Sequence, residues 1–187
     1  SRITPNNEMY LAGGTAVQIL VGRTLTPLSR EQGKLAMNGW MPIIQVTAAD
    51  GPVRYHITYW ATPLPDAKDW QKAFSGPTDG ENYLNWISIK ATNTSTGTVE
   101  AKADVRPNIS GYTQKQAEFK STRKHTRRYS WSWKLRPGES VEGVARYTFF
   151  PADDPARYDH ANAKLWFERT VDFWQGTMER AAKVQVP

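Results

Sequence analysis

Apolar and polar residues alternate with period two up to about Phe150, and a period near 3.6 takes over from about Asp159. The alternation predicts strands at Thr15–Thr24, Met41–Ala48, Val53–Ala61, Asn82–Ala91, Thr98–Val105, Tyr129–Leu135 and Val141–Phe150. In the third of these, Val53, Tyr55, Ile57 and Tyr59 share one face, and Arg54, His56, Thr58 and Trp60 the other. Asn82–Ala91 is apolar on both faces, which predicts a central or sandwiched strand. Ala101 and Ala103 are small inward residues and imply that another layer comes close. Tyr129, Trp131 and Trp133 point the same way, most simply into a core. Turn signals at Asp50-Gly51-Pro52, Asn93–Gly97 and Arg136–Glu139 join six of the runs into three expected hairpins. Strands without βαβ alternation predict an all-β, antiparallel sandwich spanning 1–152.

The remainder, 153–187, reads as one helix with Asp159 as its N-cap. Ala163, Phe167, Thr170, Val171, Trp174, Met178 and Ala181 fall on one stripe. Trp166 and Phe173 fall off it, so the helix is apolar on more than one side. Either both sides sit in one broad groove, or Trp166, Phe173 and Trp174 meet a following domain or another subunit. Between strands, Thr62–Gly80 carries three Pro and Gly76 and Gly80, a long loop with one helical turn expected around Asp66–Phe74.

Composition narrows the chemistry. The 187 residues contain 8 Trp and no Cys, which removes disulfides, zinc–thiolate sites and thiol catalysis. No stretch approaches the ~18–20 apolar residues that span a membrane, and no signal peptide opens the chain. Ser1 in place of Met suggests that an upstream segment was removed. The sequence leaves the compartment open, and a periplasmic or secreted bacterial protein is compatible with it. The net charge of +6 is mildly basic.

Candidate groups for chemistry are scattered. Asp66, Asp69, Asp79 and Glu81 lie in or beside the long loop, and Asp153 and Asp154 lie before the helix. Either set could supply a carboxylate pair, but solvation or capping is the simpler role. His56, His125 and His160 lack metal-ligand spacing, so no metal and no cofactor is expected. Gly13-Gly14 lacks the rest of a phosphate loop. A basic run includes Lys120, Arg123, Lys124, Arg127, Arg128, Lys134 and Arg136, interleaved with Tyr129, Trp131 and Trp133. It could bind single-stranded nucleic acid, though a solvated or guarded sheet edge is the stronger reading. Trp40, Trp60 and Trp70 lie near turns or in the long loop and are candidates for stacking on a sugar.

The order of four segments resembles the N-terminal, galactose-mutarotase-like β-supersandwich of six-hairpin glycosidases and related carbohydrate-active enzymes. They are Asn38-Gly39-Trp40-Met41-Pro42-Ile43-Ile44, Trp86–Asn93, Trp133–Ser140 with its Leu-Arg-Pro-Gly-Glu-Ser turn before Phe149-Phe150-Pro151, and Thr170–Trp174 running to Val184-Gln185-Val186-Pro187. The resemblance implies a supersandwich with a linker helix leading into an (α/α)6 barrel that would carry the catalytic carboxylates. On that expectation the chain is a non-catalytic domain of a glycoside hydrolase, its partner is the barrel of the same polypeptide, and no catalytic residue falls here. Thr62–Gly80 would reach the substrate or the barrel. The rival expectations are a free-standing carbohydrate-binding module using Trp40, Trp60 or Trp70, and a self-sufficient enzyme.

Overall fold

The computed structural model describes residues 2–75, 82–108, 125, 127–154 and 156–181. In chain order its elements are β1 (Arg2–Ile3), β2 (Met9–Leu11), β3 (Thr15–Val21), β4 (Thr26–Pro27), β5 (Lys34–Met37), β6 (Met41–Asp50), β7 (Val53–Pro63), α1 (Trp70–Ser75), β8 (Tyr83–Asn93), β9 (Val99–Asn108), β10 (Tyr129–Leu135), β11 (Ser140–Thr148) and α2 (Ala163–Ala181). One sheet runs β1-β2-β3-β9-β10 with β4 on β3, and the other runs β11-β8-β7-β6-β5. Every pairing is antiparallel, so the body is an all-β sandwich with a C-terminal helix.

The period-two pattern decides what lies between the sheets. Val53, Tyr55, Ile57 and Tyr59 of β7 and Ile87, Ile89 and Ala91 of β8 are buried in the inter-sheet core. They meet Val17 and Ile19 of β3 and Ala101, Ala103 and Val105 of β9 in the same cluster. The alanines of β9 have a consequence in the opposite sheet. Two long tyrosines span the gap: the Tyr55 hydroxyl accepts from the Lys102 N–H at 3.3 Å, and the Tyr147 hydroxyl donates to the Arg127 carbonyl at 2.9 Å. Burial pushes both phenols up from their ordinary pKa, so they stay protonated and keep these bonds.

Two of the three expected hairpins are not hairpins. β6 and β7 do pair, from Ile44↔Tyr59 to Asp50↔Val53. β8 and β9, however, lie in different sheets, as do β10 and β11. Their connections are arches that cross the sandwich. Buried Asn93 ties the two arches together. Its amide donates to the Gly97 carbonyl at 2.7 Å and the Leu135 carbonyl at 3.1 Å, and its carbonyl oxygen accepts from the Ser95 N–H at 2.8 Å. Its backbone N–H donates to Glu139 at 3.0 Å, and its backbone carbonyl accepts from Gly138 at 3.1 Å. Gly138 sits at φ +72°, a conformation open to glycine without strain. Asn93→Ala would leave buried partners unpaired at both crossings. A loss of about 2–3 kcal/mol is expected in urea unfolding.

The edges differ from expectation in smaller ways. Thr26-Pro27, beyond the expected strand Thr15–Thr24, forms the short strand β4 on β3, and β5 has no alternation long enough to announce it. The helix starts later than Asp159. Asn162 is the cap, its side-chain oxygen accepting from the Leu165 N–H at 3.1 Å. Asp159 lies in the preceding turn and pairs with Arg127.

Candidate functional site

The outer face of the five-stranded sheet carries a second apolar layer. β7 and β8 place Trp60 opposite Trp86, and the two rings stack with centroids 5.6 Å apart and planes 1° from parallel. The Trp86 indole donates to the Thr62 hydroxyl at 2.9 Å. α2 lies across this pair, with Phe167 edge-on to Trp60 at 5.3 Å. Tyr158 and Ala161, from the turn before α2, are buried in the same layer.

α1 covers the other apolar side of α2. Trp70 meets Trp166 edge-to-face at 6.2 Å, and Phe74 stacks on Phe173 at 4.8 Å. The Arg169 guanidinium lies 5.0 Å from the Trp70 ring centroid and 4.9 Å from that of Trp166. The off-stripe pair Trp166 and Phe173 is thereby in contact with its own chain. The signal was in the sequence: Trp70 and Phe74 are four apart, one face of a single helical turn. A latch fixes the loop that carries α1. Asp66 pairs with Arg157 at 2.6 Å and lies 3.3 Å from the Tyr158 hydroxyl.

Where β6 parts from β7, the end of the sandwich opens into a cavity of about 820 Å³. Its described walls come from β1, β2, the start of β6, the end of β7, the loop bearing α1, the start of β8, Phe149-Phe150 and α2. The rings of Tyr59, Trp60, Phe74, Tyr83, Phe149 and Trp174 dominate it. Asp66 is the one carboxylate among the described lining residues, and they include no Lys, Arg or His. Most polar groups here are engaged internally. The Tyr59 hydroxyl donates to the Asn7 carbonyl at 2.8 Å. The Asn82 side chain exchanges bonds with both backbone groups of Phe150, at 2.9 and 3.2 Å. The Trp60 indole N–H is buried with no acceptor.

The sugar-stacking candidates separate. Trp60 is 4% exposed beneath α2, and Trp70 is half-buried against α2. Trp40, in the β5–β6 turn, is 39% exposed. Of the interdomain candidates, Trp166 is buried, and Phe173 and Trp174 are half-buried. Asp69 accepts from the Lys72 N–H at 3.0 Å and Asp154 from the Ala156 N–H at 2.8 Å, both local turn bonds. Asp79 and Glu81 lie outside the described residues, as do Lys120, Arg123 and Lys124. Arg127 and Arg128 find acids distant in sequence, Asp159 and the fully buried Asp104, the latter at 2.7 Å. Among the described residues no group of three His, Asp or Glu side chains could hold a metal ion. No described helix is long and apolar enough to cross a membrane.

His125 is buried against the Tyr147 ring, with Nε2 3.2 Å from the Phe149 carbonyl. Burial lowers its pKa from the ordinary 6.5, and the carbonyl only partly offsets this. A depressed folded value means that the unfolded chain binds the proton more readily. The contribution of neutral His125 is therefore complete above pH 6.5 and is lost as pH falls below it. His125→Gln is expected to flatten the fall in stability as pH drops below 6.5 in denaturant titrations.

Comparison with family models, with curated proteins and with solved structures gave no match to this chain.

Proposed function

We propose that this chain is a non-catalytic β-sandwich domain of a carbohydrate-processing enzyme. It packs on a catalytic (α/α)6 barrel of the same polypeptide and forms one wall of the substrate cleft. The observation that carries the reading is the far end of α2. Phe167, Val171 and Trp174 lie on the stripe that faces the sheet, yet Met178, one turn further on the same stripe, is 43% exposed. The apolar stripe outruns the surface beneath it, beside the cavity that Trp174 lines. An adjoining domain seated there would cover the exposed end of the stripe. The order of segments that resembles six-hairpin glycosidases is the support for a barrel as that domain. The internal pairing of Asp66 supports placing the acid–base chemistry elsewhere, because a glycosidase needs two carboxyls across one sugar site.

The test is a pair of assays on a broad aryl-glycoside panel. The isolated chain is expected to show no turnover, and the protein from its full reading frame is expected to be active. In the latter, Met178→Asp should loosen the two parts and lower thermal stability. Saturable hydrolysis by the isolated chain, abolished by Asp66→Asn, would sink the proposal. A second reading, a free-standing carbohydrate-binding module, is favoured by the exposure of Trp40. It requires calorimetric sugar binding by the chain alone that Trp40→Ala removes.

A further inference from the structure

We infer that the cavity at the open end of the sandwich is a binding site for a neutral aromatic or fused-ring small molecule. This goes beyond the domain role and does not depend on it.

Size is the first argument. A cavity of about 820 Å³ falls inside the range of roughly 300–1,000 Å³ typical of small-molecule sites. Lining chemistry is the second. Aromatic rings supply most of the walls, and they come from both layers: Tyr59 and Phe149 from the inter-sheet side, Trp60, Phe74 and Trp174 from the helical side. Such rings favour a flat apolar guest with offset or edge contacts.

Charge and hydrogen bonding favour the same guest. The described lining residues include no Lys, Arg or His. Asp66 is neutralised by Arg157. A free sugar would bury many hydroxyls beside groups already committed, namely the Tyr59 hydroxyl and the Asn82 amide.

The experiment uses the whole chain and prodan, a neutral, flat naphthyl ketone. Saturable one-to-one binding is expected, with a blue shift of prodan emission and no competition from simple hexoses. Ala73→Trp and Ala67→Trp place bulk in the cavity wall and should abolish binding while leaving the unfolding transition cooperative. Absence of saturation, or binding that survives both alanine replacements, overturns the site. If one alanine replacement loses the cooperative transition, the other decides the matter.

Discussion

Gly143→Ala is expected to destabilise the sandwich by about 3 kcal/mol, at the upper end of what overpacking by one methyl costs. A Cβ at residue 143 would stand 2.6 Å from Trp131 Cε2 and 2.7 Å from Cδ2. The ring is rigid, and its neighbours on the strand restrain it. Trp131 is held between Tyr129 at 6.0 Å and Trp133 at 5.9 Å, a stacked ladder along one face of β10. The Tyr129 hydroxyl is anchored in turn on the Arg146 carbonyl at 2.9 Å. The backbone of Gly143 is not itself left-handed, so the cost is spatial and not conformational. That distinction gives a second arm. Trp131→Leu alone should also destabilise, yet adding it to Gly143→Ala should recover much of the loss, a strongly non-additive cycle in urea unfolding. Additive effects would show that the close approach is relieved elsewhere.

Trp86→Ala is expected to cost about 3–5 kcal/mol, the range for deleting a large aromatic from a closed core. The side chain is fully buried and holds three things in place. Trp60 stacks on it, Thr62 accepts its N–H, and the Arg146 guanidinium lies 5.1 Å from its ring centroid. Arg146 is partly desolvated there, which lowers its pKa from the usual arginine value, and its Nε has no partner. Losing the ring would leave that charge poorly supported, and Trp60, the platform for Phe167, would face a void. Amide exchange in α2 should accelerate well before that in β7 and β8. If α2 stays protected in Trp86→Ala, the contacts of α1 with Trp166 and Phe173 are what hold the helix.

Face assignments were legible in the sequence because alternation is a local property. Val53 to Tyr59 pointed inward, Trp60 outward, and the two-sided strand at β8 proved to be sandwiched between the core and α2. Strand partners were not legible. A strand, a polar turn and a strand look alike whether the turn is a hairpin or an arch, and what separates them here is Asn93 bonding to Gly97, Leu135 and Glu139. The cavity was hidden for a related reason. Its walls gather residues from Ile3 to Trp174, and no local pattern brings those together. The loop Thr62–Gly80 does enter the wall through Leu64, Asp66 and Phe74, and Trp60 lines it too, though beneath a helix. The helix cap was missed because Asp159 and Asn162 are equally good caps by residue type, and packing of Tyr158 and Ala161 selects the later one.

The crossing of the chain between sheets bears on how the protein is made. β3 is flanked by β2 and by β9, so half of its pairing partner is still unsynthesised when β3 leaves the ribosome. Until β9 arrives, a strand carrying Ile19, Leu20 and Val21 has an open edge, the kind that recruits stray chains. Slow, concerted maturation with demand for chaperone protection is the expected biosynthetic signature of this topology.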